Sequence, residues 1–138
     1  MKKFNSVIAG LVFVVFAAFL MVEGAEAFCV YNNTNTNMIV EQTSGHGSHG
    51  FDKKILAGEN KCCNWQNKDC NKEGKRDSIV RFTVKYSPWG AVKYYYVCED
   101  FPIRAGGSLT ISGGGDRNFS CSTADNTAPP PSKPARGF

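Results

Sequence analysis

Two histidines within one glycine-rich segment are the side chains best suited to acid–base or metal chemistry. His46 and His49 lie in the segment SGHGSHG, residues 44–50. Imidazole titrates near neutral pH and is a common ligand of transition metals. Both kinds of chemistry need groups held within fractions of an ångström, which a glycine-rich loop alone does not provide. We therefore expect an exposed, solvated loop, with no metal site, no cofactor and no catalytic residue.

A nuclease is the enzymatic alternative, because a histidine, a carboxylate and an arginine together can cleave RNA by acid–base catalysis. The candidates are Glu41, Arg81 and either His46 or His49. Nothing in their spacing brings them together. The chain also has no G-x-S-x-G elbow and no H-E-x-x-H motif. A small secreted hydrolase such as a ribonuclease is therefore the second hypothesis, and a protein that is not an enzyme is favoured.

The segment of residues 78–98 places aromatic side chains beside lysines. Tryptophan and tyrosine combine a flat apolar body with a polar edge, which suits the face of a sugar, a lipid headgroup or a protein partner. The alternative for Tyr94, Tyr95 and Tyr96 is that they belong to the core or to cross-strand pairs. The predicted ligand-binding residues are Trp89, Tyr86, Lys85, Lys93 and Tyr95.

Six cysteines, an even number in a short chain, predict three disulfides and leave none for catalysis. A metal site is the competing account, since three of the cysteines follow the two histidines, but their spacing fits no zinc-type pair. The disulfide-forming residues are Cys29, Cys62, Cys63, Cys70, Cys98 and Cys121.

The pairing of these cysteines is predicted from their position in the chain. Adjacent residues of a strand point to opposite faces, so Cys62 and Cys63 should have different partners. Cys29 and Cys121 each lie beside an end of the domain and should bond to each other. Cys63 and Cys70 should bond around the short loop between them. The predicted bonds are Cys29–Cys121, Cys63–Cys70 and Cys62–Cys98.

Short apolar segments separated by turn residues predict an all-β fold. Residues 80, 82, 84 and 86 are apolar and alternate with a more polar set, as in a half-buried antiparallel strand. The sequence SPWG at 87–90 predicts a hairpin with Trp89 at its tip. We expect a disulfide-stapled antiparallel β-sandwich of seven or eight strands, with a β-barrel as the alternative. The predicted strands span residues 29–31, 38–43, 51–56, 61–65, 78–86, 91–98, 108–112 and 118–121.

The two ends of the chain differ in composition from this domain. Lys2 and Lys3 precede an apolar run at 7–22, and Ala25 and Ala27 supply the small residues of a signal-peptidase site. We expect a signal peptide at 1–27, cleavage before Phe28 and secretion, with an uncleaved anchor as the alternative. The domain should span 28–121, followed by a disordered proline-rich tail at 122–138.

The charge pattern indicates a solvated surface. The chain has 16 lysines and arginines against 12 acidic residues, a net charge of +4. The lysines between residues 53 and 75 are interleaved with acidic residues, unlike a nucleic-acid-binding stripe. The segment DCNKEG at 69–74 lacks the ligand spacing of a calcium loop. We expect neither a specific nucleic acid nor calcium as a partner.

Two N-x-S/T acceptors predict glycosylation, at Asn32 and Asn118. Asn32 lies among polar, loop-like residues, so it is expected to be the more exposed of the two.

The sequences FCVYN at 28–32, CCNW at 62–65 and DCN at 69–71 resemble the layout of small secreted cysteine-rich proteins of fungi, many of which act as effectors or toxins. The resemblance implies an extracellular, effector-like role and transfers no active residue. The first hypothesis is therefore a secreted, non-enzymatic binding protein. It engages a glycan, a membrane surface or a host protein through the hairpin of residues 78–98, which is called the aromatic hairpin. A structural surface protein tethered by its tail is the third.

Overall fold

The computed structural model describes residues 27–88 and 92–124, which contain eight strands and no α-helix. Every strand expected from the sequence is present, with ends that differ by a few residues. The strands are β1 (Ala27–Asn33), β2 (Met38–Ser44), β3 (Asp52–Ile55), β4 (Asn60–Asn64), β5 (Ile79–Tyr86), β6 (Tyr95–Arg104), β7 (Ser108–Gly113) and β8 (Phe119–Thr123).

Two four-stranded sheets pack together as a sandwich, which confirms the predicted fold class. The first sheet has the strand order β4-β1-β7-β8, and the second has the order β3-β2-β5-β6. The expectation of purely antiparallel pairing is wrong at one place, because β1 and β7 are parallel. A hairpin turn forces antiparallel pairing only on strands that are adjacent in the chain, and β1 and β7 are far apart.

The core lies between the sheets and is supplied by alternate residues of the strands. On β5 the residues at 80, 82, 84 and 86 are buried and their neighbours are more exposed, as the period of two predicts. Phe28, Phe51 and Phe82 meet edge to face at its centre, with ring centroids 5.2 to 5.9 Å apart. Trp65 is half-buried and packs against this core beside Cys63.

Strand β6 departs most from its predicted span, 91–98, since it begins at Tyr95 and runs to Arg104. Phe82 faces Phe101 and Val84 faces Cys98, so β6 carries one extra residue between these pairs. This bulge contains Asp100, which has a φ of 50°. The backbone amide of Asp100 donates to the Thr83 hydroxyl, which fixes the bulge. The polar residues of the bulge, 99 and 100, follow directly after the predicted strand end at residue 98. The pairing with β5 nevertheless continues beyond them to Arg104.

Three disulfides form, as predicted, but with a different pairing. Cys63–Cys70 is confirmed, whereas the predicted Cys29–Cys121 and Cys62–Cys98 bonds are replaced by Cys29–Cys62 and Cys98–Cys121. The physical reason is strand pairing, because Cys29 and Cys62 are direct cross-strand partners on β1 and β4. The adjacent Cys62 and Cys63 do have different partners, and Cys62 is exposed while Cys63 faces the core.

The expected exposure of the two glycosylation acceptors is reversed in the structure. Asn32 is fully buried, and its Nδ2 donates to the backbone oxygens of Thr36, Ile55 and Leu56. The asparagine-rich sequence thus forms a hydrogen-bonded turn, which leaves no free amide at Asn32. Asn118 is exposed immediately before β8, so its side chain is the accessible one of the two in the folded domain.

The predicted signal peptide and most of the predicted tail lie outside the described residues. At the boundary, Ser122 and Thr123 belong to β8, so the ordered domain continues past the predicted limit at 121. Within residues 27–88 and 92–124, no helix has the length and apolarity that crossing a membrane requires.

Candidate functional site

An open groove of about 880 Å³ lies at one end of the sandwich. It is built from the β1–β2 loop, the β5–β6 connection and the β7–β8 loop, together with side chains of β2, β3 and β8. Loops held by a rigid sandwich are common positions for binding residues. The groove is lined by Asn35, Thr36, Asn37, Ile39, Lys54, Tyr86, Ser87, Pro88, Tyr94, Gly114, Arg117 and Phe119.

Close approach of the β1–β2 and β7–β8 loops depends on Gly114. Its φ is 139°, a conformation that other residues rarely adopt. A Cβ atom at this position would lie 2.9 Å from the side-chain oxygen of Asn35. The glycine therefore allows Asn35 to come to the edge of the groove that also carries Arg117.

Three aromatic residues, Tyr86, Tyr95 and Phe119, pack together beside the groove and are called the aromatic column; Tyr86 and Phe119 line the groove, and Tyr95 lies behind them. The Tyr86 and Tyr95 rings are stacked at 5.6 Å, and Tyr86 meets Phe119 edge to face at 5.0 Å. Tyr86 is 6% exposed, so it offers little surface to a ligand. Because Phe119 belongs to the first sheet and both tyrosines to the second, the column holds the two sheets together beside the groove.

Basic side chains lie over the rings of two tyrosines, the exposed Tyr94 and the partly buried Tyr95. Lys93 and Arg117 lie 5.4 and 5.9 Å from the centroid of the Tyr95 ring. Lys85 lies 5.1 Å from the centroid of the Tyr94 ring. Cation–π attraction holds these cationic groups over the rings beside the groove, and Arg117 is the one of the three that lines it. Tyr94 is 47% exposed and lines the groove, so it is the ring best placed to contact a ligand.

Lys85 is ion-paired with Glu41 across β2 and β5. The hydrogen bond to the Glu41 carboxylate raises the pKa of Lys85, and partial burial opposes this rise. The Lys85 side chain is 16% exposed and that of Glu41 is 39% exposed. The pair therefore neutralises a charge next to the groove and holds Lys85 against Tyr94.

We expect Lys85→Met to destabilise the protein at neutral pH but not at strongly alkaline pH. The pKa of Lys85 is higher in the folded chain than in the unfolded one, so its contribution is full below the unfolded value of about 10.4 and is lost as the pH rises through the folded value. The loss should be about 1 kcal/mol or less for this partly exposed pair. Urea unfolding of both proteins at about pH 8 and about pH 11.5 measures it. A difference in stability that is equally large at both pH values contradicts the ion-pair account.

The structure brings four of the five predicted ligand-binding residues to this end of the sandwich. Tyr86 lines the groove, whereas Tyr95 stacks on Tyr86, Lys93 lies over Tyr95 and Lys85 is held by Glu41, all three outside the lining. The fifth, Trp89, lies outside the described residues, next in sequence to Pro88 of the groove lining.

Sequence reasoning missed the groove residues that come from other loops. Tyr94 was not among the predicted ligand-binding residues, although its hairpin was, and Lys54 was assigned to a mixed solvated face. Asn35, Asn37 and Arg117 were not among the predicted site residues. Only the turn composition around Asn35 and Arg117 marked them as loop positions, and nothing in their spacing indicated that the loops meet.

The predicted nuclease residues have other partners. Glu41 pairs with Lys85, and Arg81 donates to the Asp100 carboxylate at 3.1 Å. Nδ1 of His49 lies 3.6 Å from the Asp69 carboxylate, and its side chain is 82% exposed. No group of three or more His, Cys, Asp or Glu side chains suited to a metal ion occurs in the part of the chain that the structure describes.

The histidine loop is fixed to the loop closed by Cys63–Cys70. The backbone amides of Gly47 and Gly50 both donate to the backbone oxygen of Asp69. Nδ1 of His46 lies 2.7 Å from the Gly47 carbonyl oxygen. The loop is thus more constrained than its glycine content suggests, and His49 remains solvated.

Comparison with known proteins gives no relative for this chain. No protein-family model, no curated protein sequence and no solved structure matches it.

Proposed function

We propose that this protein is a secreted, non-enzymatic binding protein that takes a glycan into the groove beside the aromatic hairpin. The observation that carries the proposal is the exposed Tyr94 ring in an open groove that also contains asparagine amides and cationic side chains. Small-ligand sites are typically concave and combine apolar rings with a few polar groups. The sugar ring offers an apolar face to the tyrosine and hydroxyl groups to the amides.

The shape of the site favours a glycan over a lipid surface or a protein among the three predicted ligand classes. A membrane surface or a large protein partner would be met by a flat or protruding apolar patch. Here the polar side chains of Asn35, Thr36 and Asn37 form one wall of a concavity. Hydrogen-bonding groups on a concave wall suit a small polar ligand.

Secretion is supported by the disulfides. Three disulfides form among residues 27–124, and such bonds persist mainly in oxidising compartments. The apolar run at residues 7–22 has the layout of an export signal. We include an effector-like role outside the cell and glycosylation at the exposed Asn118 in the proposal.

Tyr94→Ala is expected to weaken glycan binding at least about tenfold, because central aromatic residues carry much of the binding energy at such sites. Tyr31→Ala is the matched control, since Tyr31 is 37% exposed on β1 and does not line the groove. The measurement is binding of the oxidised protein and both variants to a glycan array. Trp89→Ala should also weaken binding if the hairpin tip contacts the ligand. An array without any bound glycan, or an equal loss in the Tyr31 variant, contradicts the proposal.

A further inference from the structure

We propose that the groove selects acidic glycans, that is, sugars carrying a carboxylate or sulfate group, through Arg117 and Lys54. This inference rests on the proposed glycan-binding function and specifies its ligand class. Among the described residues, the groove lining contains these two cationic side chains and no aspartate or glutamate. A site lined by one sign of charge raises the local concentration of ligands of the opposite sign.

Within the described part of the chain, the two basic side chains have no carboxylate partner. Among residues 27–88 and 92–124, neither Arg117 nor Lys54 is ion-paired with a carboxylate. The nearby carboxylate of Glu41 is already engaged by Lys85. Lys93 does not line the groove, but its ammonium group lies over the Tyr95 ring of the aromatic column and adds a positive charge beside the groove.

Arg117 is held in a position from which it can bind an anion. Its backbone has a φ of 62°, in a tight turn that also contains Asp116 at 52°. Its guanidinium group lies 5.9 Å from the centroid of the Tyr95 ring. A guanidinium group over an aromatic ring keeps its N–H edge available, and that edge matches two oxygens of a carboxylate or sulfate group.

Lys54 lies on β3, the edge strand of the second sheet, whereas Arg117 lies in the β7–β8 loop of the first sheet. Lys54 is the register partner of Ile39, and Ile39 is also the register partner of Lys85. Lys54, Ile39 and Lys85 therefore lie on the same face of the second sheet. Of these three residues, Lys54 and Ile39 line the groove and Lys85 does not. Arg117 and Lys54 thus supply positive charge from two elements that are distant in the sequence.

An array of paired glycans, each backbone present in a neutral and an acidic form, tests the inference with the oxidised, secreted protein. Oligogalacturonate beside its methyl ester tests carboxylates, and a sulfated oligosaccharide beside its unsulfated form tests sulfates. We expect about 10- to 100-fold tighter binding of the acidic member, the range that charge-assisted hydrogen bonds provide. Its affinity should fall with added salt. The two pairs show which anionic group is preferred.

Arg117→Gln and Lys54→Gln should each remove most of this preference, because each lowers the affinity for the acidic member of a pair more than the affinity for its neutral partner. Lys53→Gln is the matched control, because it removes the same charge from the adjacent exposed residue of β3, which does not line the groove. Equal binding of neutral and acidic members overturns the acidic selectivity and leaves the glycan-binding function standing. An equal effect of Lys53→Gln also overturns it, since the attraction would then be non-specific. Failure of every glycan to bind overturns both proposals.

Discussion

Phe82→Ala is expected to lower the free energy of unfolding by about 3–5 kcal/mol, the range for removing a fully buried aromatic side chain. Phe82 is 0% exposed and contacts the rings of Phe28 and Phe51 at 5.2 and 5.9 Å. These three rings come from both sheets and from the residue before β3, so the change opens a cavity where the layers meet. A domain of this size has a total stability of about 5–15 kcal/mol, so the loss is a large fraction of it.

Ile79→Ala is the matched control for this prediction. Ile79 lies on the same strand and is 41% exposed, so its truncation should cost about 1 kcal/mol. Urea unfolding of the two variants and the original protein measures the difference. The slope of the unfolding free energy against urea concentration should be the same for all three, so that a shift in midpoint reports stability alone. A loss below about 2 kcal/mol for Phe82→Ala would show that the aromatic cluster relaxes to fill the space.

The strands could be predicted from the sequence because their signal is local. The alternation along β5 and the turn residues around β7 define each strand without reference to the rest of the chain. The parallel pairing of β1 with β7 could not be predicted in the same way, since it depends on which strands become neighbours in space. The same cause explains the wrong partners of Cys29 and Cys98. Cys29 bonds to its cross-strand partner on β4, and Cys98 bonds to a cysteine of β8, which belongs to the other sheet.

The candidate site was predictable only in the part that is continuous in the sequence. Lys85, Tyr86, Lys93 and Tyr95 lie close together along one hairpin, so composition alone indicated a binding surface there. Arg117 joins the groove only because the β7–β8 loop packs beside Tyr95. Conversely, the polar sequence around Asn32 looked like an exposed loop, yet its hydrogen bonds draw Asn32 into the interior.

One disulfide links the two strands that carry Tyr95 and Phe119 of the aromatic column. Cys98 lies on β6 with Tyr95, and Cys121 lies on β8 with Phe119. These two strands are the last of their respective sheets, and no hydrogen-bonded pairing joins them. Without this covalent bond, only side-chain packing would keep these two sheet edges together.

We expect the double variant Cys98→Ala/Cys121→Ala to lose stability by about 3.5 kcal/mol, the chain-entropy cost of opening a loop of this length. The sequence separation of the two cysteines is 23, against 7 for Cys63 and Cys70. The same replacement of that shorter loop should cost about 2.5 kcal/mol. Urea unfolding of both double variants under oxidising conditions compares them, and an equal or reversed order contradicts the chain-entropy account.

The same two variants also separate the stability of the fold from the geometry of the groove. Opening the Cys98–Cys121 bond frees β8 to move against β6, which should disturb the contact between Phe119 and Tyr86 and weaken glycan binding below the unfolding transition. The Cys63–Cys70 bond fixes the loop beside the histidine segment, and neither cysteine lines the groove, so binding should be retained. Equal binding by both variants would show that strand packing alone maintains the groove. Weaker binding only after the loss of Cys98–Cys121 would show that this bond keeps the loops of the two sheets in the arrangement the ligand requires.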